Sequence, residues 1–198
     1  MSKPATALTV RRVVIIVALL NLAYFGIEFS VALAIGSVSL FADSIDFLED
    51  ASLNALVALA LAWSMRSRAR LGSALALLLL VPGLATIGMA WHKFASPLTP
   101  DATLLGATGL GALAVNAGCA LLLARVRDHA GSLSRAAFLS ARNDVVANVA
   151  IIGAGVMTML APSAWPDLAV GLGIGLLNAD AARVVWRAAR AERLAATP

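Results

Sequence analysis

Apolar residues gather into runs of bilayer length at about 12–34, 38–63, 71–91, 103–125, 135–160 and 166–188. A hydrocarbon core about 30 Å thick is crossed by roughly 20 helical residues, so each run predicts one transmembrane helix. Strands are not expected. Open strands would leave backbone groups unpaired in hydrocarbon, and the alternating ten-residue pattern of a membrane barrel is absent. Breaks fall where helices should end: Ile35-Gly36-Ser37, the Arg66 to Arg70 cluster, Ser96-Pro97-Leu98-Thr99-Pro100, the Arg125 to Ser134 segment and Ala161-Pro162-Ser163. The predicted fold class is all-α, a single transmembrane domain forming an integral membrane bundle of six helices.

Composition supports this reading. Of 198 residues, 61% are hydrophobic and 13% charged, too little polar surface to clothe a soluble domain of that size. A single cysteine, Cys119, excludes an intramolecular disulfide and any Cys-rich zinc module. The excess of 15 Lys+Arg over 11 Asp+Glu is spread in short clusters between apolar runs, so nucleic acid is not an expected partner. Those clusters set orientation instead. Lys3, Arg11, Arg12, Arg66, Arg68, Arg70, Arg125, Arg127, Arg135, Arg142, Arg183, Arg187, Arg190 and Arg193 all fall on one side of a six-helix topology, and Lys93 alone on the other. Basic residues are held in the cytoplasm, which puts both termini there. Few residues follow Arg193, so no soluble C-terminal domain is expected. The first run has signal-like features, Arg11-Arg12 before it and Ala32-Leu33-Ala34 at its end. Asn21 and Glu28 interrupt it, and it is expected to be retained. The Leu/Ala/Arg-rich usage points to a multi-pass protein of a cell membrane, the bacterial inner membrane.

Candidate chemistry sits inside the helices. Asp43, Asp46, Glu49 and Asp50 follow one another at i, i+3, i+6 and i+7, which confines them to about 120° of helix surface. A carboxylate at bilayer depth costs about 2.5–3.5 kcal/mol on insertion scales and is typically kept for an ion or substrate path. Four so close cannot all be ionised without a compensating cation, so protons or a metal must neutralise them. Asp43, near the helix start, has the alternative reading of an N-terminal acid close to water and favoured by the helix dipole. On the fifth helix Ser140, Asn143, Asp144 and Asn148 form a second polar face. Facing the second helix, it would bring Asp144 to Asp46 and Asp50, and a weaker fourth oxygen would complete a divalent-cation site. Asn148 reads equally as an interhelical hydrogen-bonding group.

Other polar residues read less sharply. Asn21, Tyr24 and Glu28 share a face of the first helix, and Asn116 lies midway along the fourth. The two asparagines are expected to bond between helices. Glu28 reads as a proton carrier or a lining of the outer vestibule. His92 and His129 are expected in opposite loops. Asp167, after Pro166, reads as an ordinary acid of a first helical turn.

The stretch Gly36-Ser37-Val38-Ser39-Leu40-Phe41-Ala42-Asp43-Ser44-Ile45-Asp46-Phe47-Leu48-Glu49-Asp50 resembles the second helix of the cation diffusion facilitator family, which carries [His/Asp]-x-x-x-Asp there. Asp46 and Asp50 occupy its ligand positions. The family's fifth helix carries a matching His-x-x-x-Asp or Asp-x-x-x-Asp, where this chain has Ser140-Ala141-Arg142-Asn143-Asp144 followed by Asn148. The resemblance extends to Asn21 and Glu28 and to the Trp165-Pro166-Asp167 start of the sixth helix. It implies metal ligands Asp46, Asp50 and Asp144. Ser140 departs from the family pattern, which leaves the fourth ligand to Ser140 itself, water, Asn143 or Glu49. The family's usual cytoplasmic C-terminal domain is missing, so a homodimer would form through the helices, where Gly and Ala allow close approach.

The resemblance implies a secondary active transporter rather than an enzyme: export of a divalent transition metal from the cytoplasm in exchange for protons by alternating access. The metal is cargo, and no cofactor is expected. All-oxygen ligands suit Mn²⁺ or Fe²⁺, whereas the family favours Zn²⁺, the ion expected here. Two rivals stand beside it. Asp46 and Asp144 could share a proton as the dyad of an intramembrane aspartyl protease, although Gly-x-Gly-Asp is missing. A proton-coupled organic-cation exporter using Glu28 would need an aromatic cavity, for which only Tyr24 and Phe25 lie near.

Overall fold

The computed structural model describes residues 7–60, 85–126 and 131–177. All regular structure among these residues is helical: α1 (Ala7–Ile35), α2 (Val38–Ala60), α3 (85–95), α4 (Ala102–Ala124), α5 (Gly131–Leu160) and α6 (Trp165–Leu177). Most of the expected third helix, the lower half of the sixth, the arginine cluster at 66–70 and His129 lie outside the described residues. Two expectations shift. Helix five starts at Gly131, about one turn before the predicted 135, and α3 runs past His92 to residue 95, so His92 is an exposed helical residue rather than a loop residue. Neither Gly131 nor His92 interrupts a helix by itself, so neither is a true boundary signal.

Spans Val10–Ile35, Ala102–Ala124 and Asn143–Leu160 are long and apolar enough to cross a membrane. At 23 residues α2 matches their length, and its four acids set it apart from them. Outward-facing side chains are apolar, including Leu19, Leu22, Ile27, Leu33, Leu121 and Val146. A bundle that turns such residues outward is built for lipid. Trp91 and Phe94 of α3 stack at a ring separation of 6.4 Å, and Phe94 meets Trp165 of α6 edge-on at 5.9 Å. Exposed aromatic rings at helix ends are typical of a membrane–water interface.

The α1–α2 connection is tight. Gly36 takes φ 64°, the left-handed conformation that closes a helix, and the Ser37 amide reaches back to the Ala32 carbonyl at 3.0 Å. Ser37 then caps α2, its Oγ accepting from the Leu40 amide at 3.1 Å. With so short a link, α1 and α2 pack antiparallel, as do α4 and α5. Glycine permits two further close approaches. A Cβ on Gly155 of α5 would lie 3.1 Å from the Gly106 Cα of α4, and one on Gly171 of α6 would lie 2.7 Å from the Val38 carbonyl carbon at the start of α2.

Two apolar clusters divide the bundle. Val14, Val17, Val57, Ala58, Cys119, Leu123 and Ala141 fill the end that carries Arg11, Arg12 and Arg125. Ala32, Leu40, Phe41, Ala42, Ile45, Leu105, Ile151 and Ile174 fill the other. Glu28 of α1 and Asp46, Glu49 and Asp50 of α2 fall between those clusters along the helices, whereas Asp43 sits on the Phe41, Ala42 and Ile45 side, within the second. Among the described residues a polar layer thereby lies between two apolar clusters.

Candidate metal-transport site

That polar layer is assembled from four helices. On α2, Asp43 and Asp50 are buried, while Asp46 and Glu49 are half-buried. Asp144 of α5 is half-buried, and its carboxyl approaches those of Asp50, Asp43 and Glu49. Asp46 lies within electrostatic reach of Asp144, Asp43, Glu49 and Asp50. The i, i+3, i+7 spacing on α2 puts these acids on the stripe that meets α5. Among the described residues no three Asp, Glu, His or Cys side chains converge on one point tightly enough to hold a metal ion together. The acids share a layer without forming a closed coordination shell.

Of the expected auxiliary ligands, Glu49 lies in the layer, Asn143 is exposed on the face of α5 beside Asp144, and the side chain of Ser140 lies outside the described residues. Asn148 reaches further than its alternative readings suggested individually. Its Nδ2 donates to Asp43 Oδ2, and its Oδ1 accepts from Asn116 Nδ2 at 3.0 Å. One asparagine therefore joins α2, α5 and α4. Amide bonds of this kind compensate polar groups that hydrocarbon cannot solvate. Asn54 holds the α2 backbone one turn beyond Asp50, donating to its carbonyl at 2.8 Å.

Two alternative readings and one expectation need correction. Asp43 is not a water-facing first-turn acid: its side chain is fully buried and bonded to Asn148. Glu28 does not line an open vestibule, because it is fully buried as well. The α1–α2 packing encloses both, since α1 crosses α2 at their level. Asn116 meets its interhelical expectation, whereas Asn21 has no hydrogen-bond partner among the described residues.

Asp167 was the residue least foreseen. It sits in the first turn of α6, yet its carboxylate serves α2. Ser37 Oγ and Ser39 Oγ each donate to it at 2.6 Å, and the amides of Val38 and Ser39 at 3.0 and 3.1 Å. Lys93 of α3 completes the knot, with Nζ 2.5 Å from Asp167 Oδ2 and 2.7 Å from the Gly36 carbonyl. Both charged residues are buried, at 5% and 0% exposure. The positive end of the α2 dipole adds to the attraction. The knot ties α3 and α6 to the first turn of α2, five residues before Asp43. Gly36-Ser37-x-Ser39 signals a helix start, but the acid that completes it lies 128 residues or more away and carries no local signature.

With this geometry in place, comparison with known proteins adds one positive finding. A family model described as the cation efflux transmembrane domain matches residues 14–191, nearly the whole chain. No individually curated protein matches it.

Proposed function

The chain belongs to the cation efflux family, also called the cation diffusion facilitators, and from that premise we propose that it is a proton-coupled antiporter exporting a divalent transition metal, zinc foremost, by alternating access. It is a multi-pass membrane protein of a family that transports divalent metal cations. The carrying observation is the gathering of Asp46, Glu49 and Asp50 of α2 and Asp144 of α5 in one polar layer between two apolar clusters. In this reading Asp46, Asp50 and Asp144 bind the ion, and Ser140, Glu49 or Asn143 supplies the remaining oxygen, or water does.

Proton exchange follows from the ligand chemistry. Carboxylates bind metal only when deprotonated, so metal entering from the cytoplasm displaces protons, and protons arriving from the other side release it. Zinc is preferred on family grounds over Mn²⁺ and Fe²⁺, which the all-oxygen ligand set also suits. Homodimerisation through the helices belongs to the same reading.

The test is metal-dependent proton flux in proteoliposomes. Asp50→Ala and Asp144→Ala should each abolish it, and His92→Ala should not. Wild-type flux in both acid variants would remove the proposed site.

A further inference from the structure

The α2 stripe meets an acid from α1 as well as from α5. Glu28 is fully buried, and neither of its carboxyl oxygens has a hydrogen-bond donor among the described residues. Its carboxyl lies within hydrogen-bonding reach of that of Asp43 across the α1–α2 seam, where a proton or a cation is needed between the two acids. Asp43 is equally buried. Asn148 occupies its Oδ2 and leaves Oδ1 without a donor. Neighbouring groups that could supply a proton or a positive charge are committed elsewhere. Tyr24, one turn from Glu28, donates to the Thr108 carbonyl at 2.6 Å, and Lys93 is held by Asp167 and Gly36. No other Lys, Arg or His forms an ion pair with either acid among the described residues.

Three carboxyl oxygens from two neighbouring helices, Glu28 Oε1 and Oε2 and Asp43 Oδ1, are thus buried without a donor among the described residues. A single shared proton would supply one donor, leave one oxygen unsatisfied and leave one net negative charge in an apolar seam. A divalent cation would neutralise both carboxylates and bind all three oxygens, with water filling its shell. We propose that Glu28 and Asp43 form a second divalent-cation site between α1 and α2, distinct from the Asp46–Asp50–Asp144 set. Oxygen-only ligands make it a site for hard ions such as Mn²⁺. Asn148 is its positioning residue, because it fixes the Asp43 carboxyl with Oδ1 left for the ion.

The site's place on an ion path rests on the export reading, while its ability to bind does not. Glu28 opposite Asp43 and Tyr24 against Phe47, whose rings lie 5.0 Å apart, define one antiparallel register. In that register Asp46 lies about 4.5 Å further along α2 and Asp50 about 10 Å, both toward the arginine-bearing end. Two divalent ions so close repel, so the second binds more weakly and helps expel the first, as in multi-ion pores.

Equilibrium dialysis of the purified full chain against Mn²⁺, with metal counted by elemental analysis, tests the proposal. The wild type should bind two ions per chain, the second at least tenfold more weakly. Glu28→Gln and Asp43→Asn should each bind one, Asp144→Asn should bind one, and Glu28→Gln with Asp144→Asn should bind none. Two independent variants guard against one that fails to fold. A wild type that binds one ion, kept in Glu28→Gln and lost in Asp144→Asn, overturns the second site and leaves the export reading standing. One ion lost in Glu28→Gln and kept in Asp144→Asn does the reverse. No bound ion in the wild type overturns both.

Discussion

Replacing Asp167 by Asn should destabilise the protein far more than its place in a first helical turn suggests. The carboxylate accepts from Ser37, Ser39 and two α2 amides while neutralising Lys93. Asparagine keeps the shape but turns an NH₂ toward donors on one side. Lys93 is then left charged and buried with the Gly36 carbonyl as its remaining partner. Removing one member of a buried pair costs about 3–5 kcal/mol. For a chain of this size each kcal/mol moves the midpoint by about 2–4 °C, so the expected fall is roughly 6–20 °C. Lys93→Met should cost less than half as much, because the carboxylate keeps its four other donors and the α2 dipole. The protein supplies its own reporter. Cys119 is the single cysteine and is buried, so a thiol-reactive dye labels it only as the bundle opens. Midpoints of dye labelling on heating in detergent give both shifts. An Asp167→Asn midpoint within about 2 °C of wild type, or a Lys93→Met shift as large as that of Asp167→Asn, would refute the assignment of Asp167 as the centre of the knot.

Other outcomes follow from the polar layer. Asn148→Leu strips Asp43 and Asn116 of their shared partner at once and should cost about 2–4 kcal/mol, read by the same labelling assay. Ser140→His should raise zinc affinity at least tenfold by calorimetry if position 140 turns toward the acids, and an unchanged affinity assigns the fourth ligand elsewhere. Metal affinity should fall as pH is lowered from 8 to 6, because protons compete for the carboxylates that bind the ion, and dialysis at each pH reads the change. Gly171→Leu should disrupt the bundle, since its side chain would enter the space held by the backbone of Val38 and Ser39.

Much of this architecture was legible in the sequence because lipid simplifies the problem. Apolar runs of bilayer length can only be helices, and Asp43, Asp46, Glu49 and Asp50 announce their shared stripe by spacing alone. The partnership of that stripe with Asp144 was also within reach, since an acid at bilayer depth must find company. Asn148 could not be resolved between ligand and tie, because an amide serves both and spacing on one helix does not reveal what stands opposite. The water-facing alternative for Asp43 and the vestibule alternative for Glu28 fall because spacing along one helix does not show which neighbour covers it. The tight Gly36 turn lays α1 over α2 and buries both. The Lys93–Asp167 pair was invisible for a different reason: each residue had a sufficient local explanation, a loop-side lysine and a first-turn acid, and only the packing of α3 and α6 against α2 joins them.

The most direct test of transport is uptake of Zn²⁺, Mn²⁺ and Fe²⁺ into proteoliposomes under an imposed pH gradient, comparing wild type with Asp46→Ala. Gradient-driven uptake, strongest for Zn²⁺ and lost in the variant, is the expected result. Uptake of no metal, or uptake indifferent to the gradient and to Asp46, would contradict it.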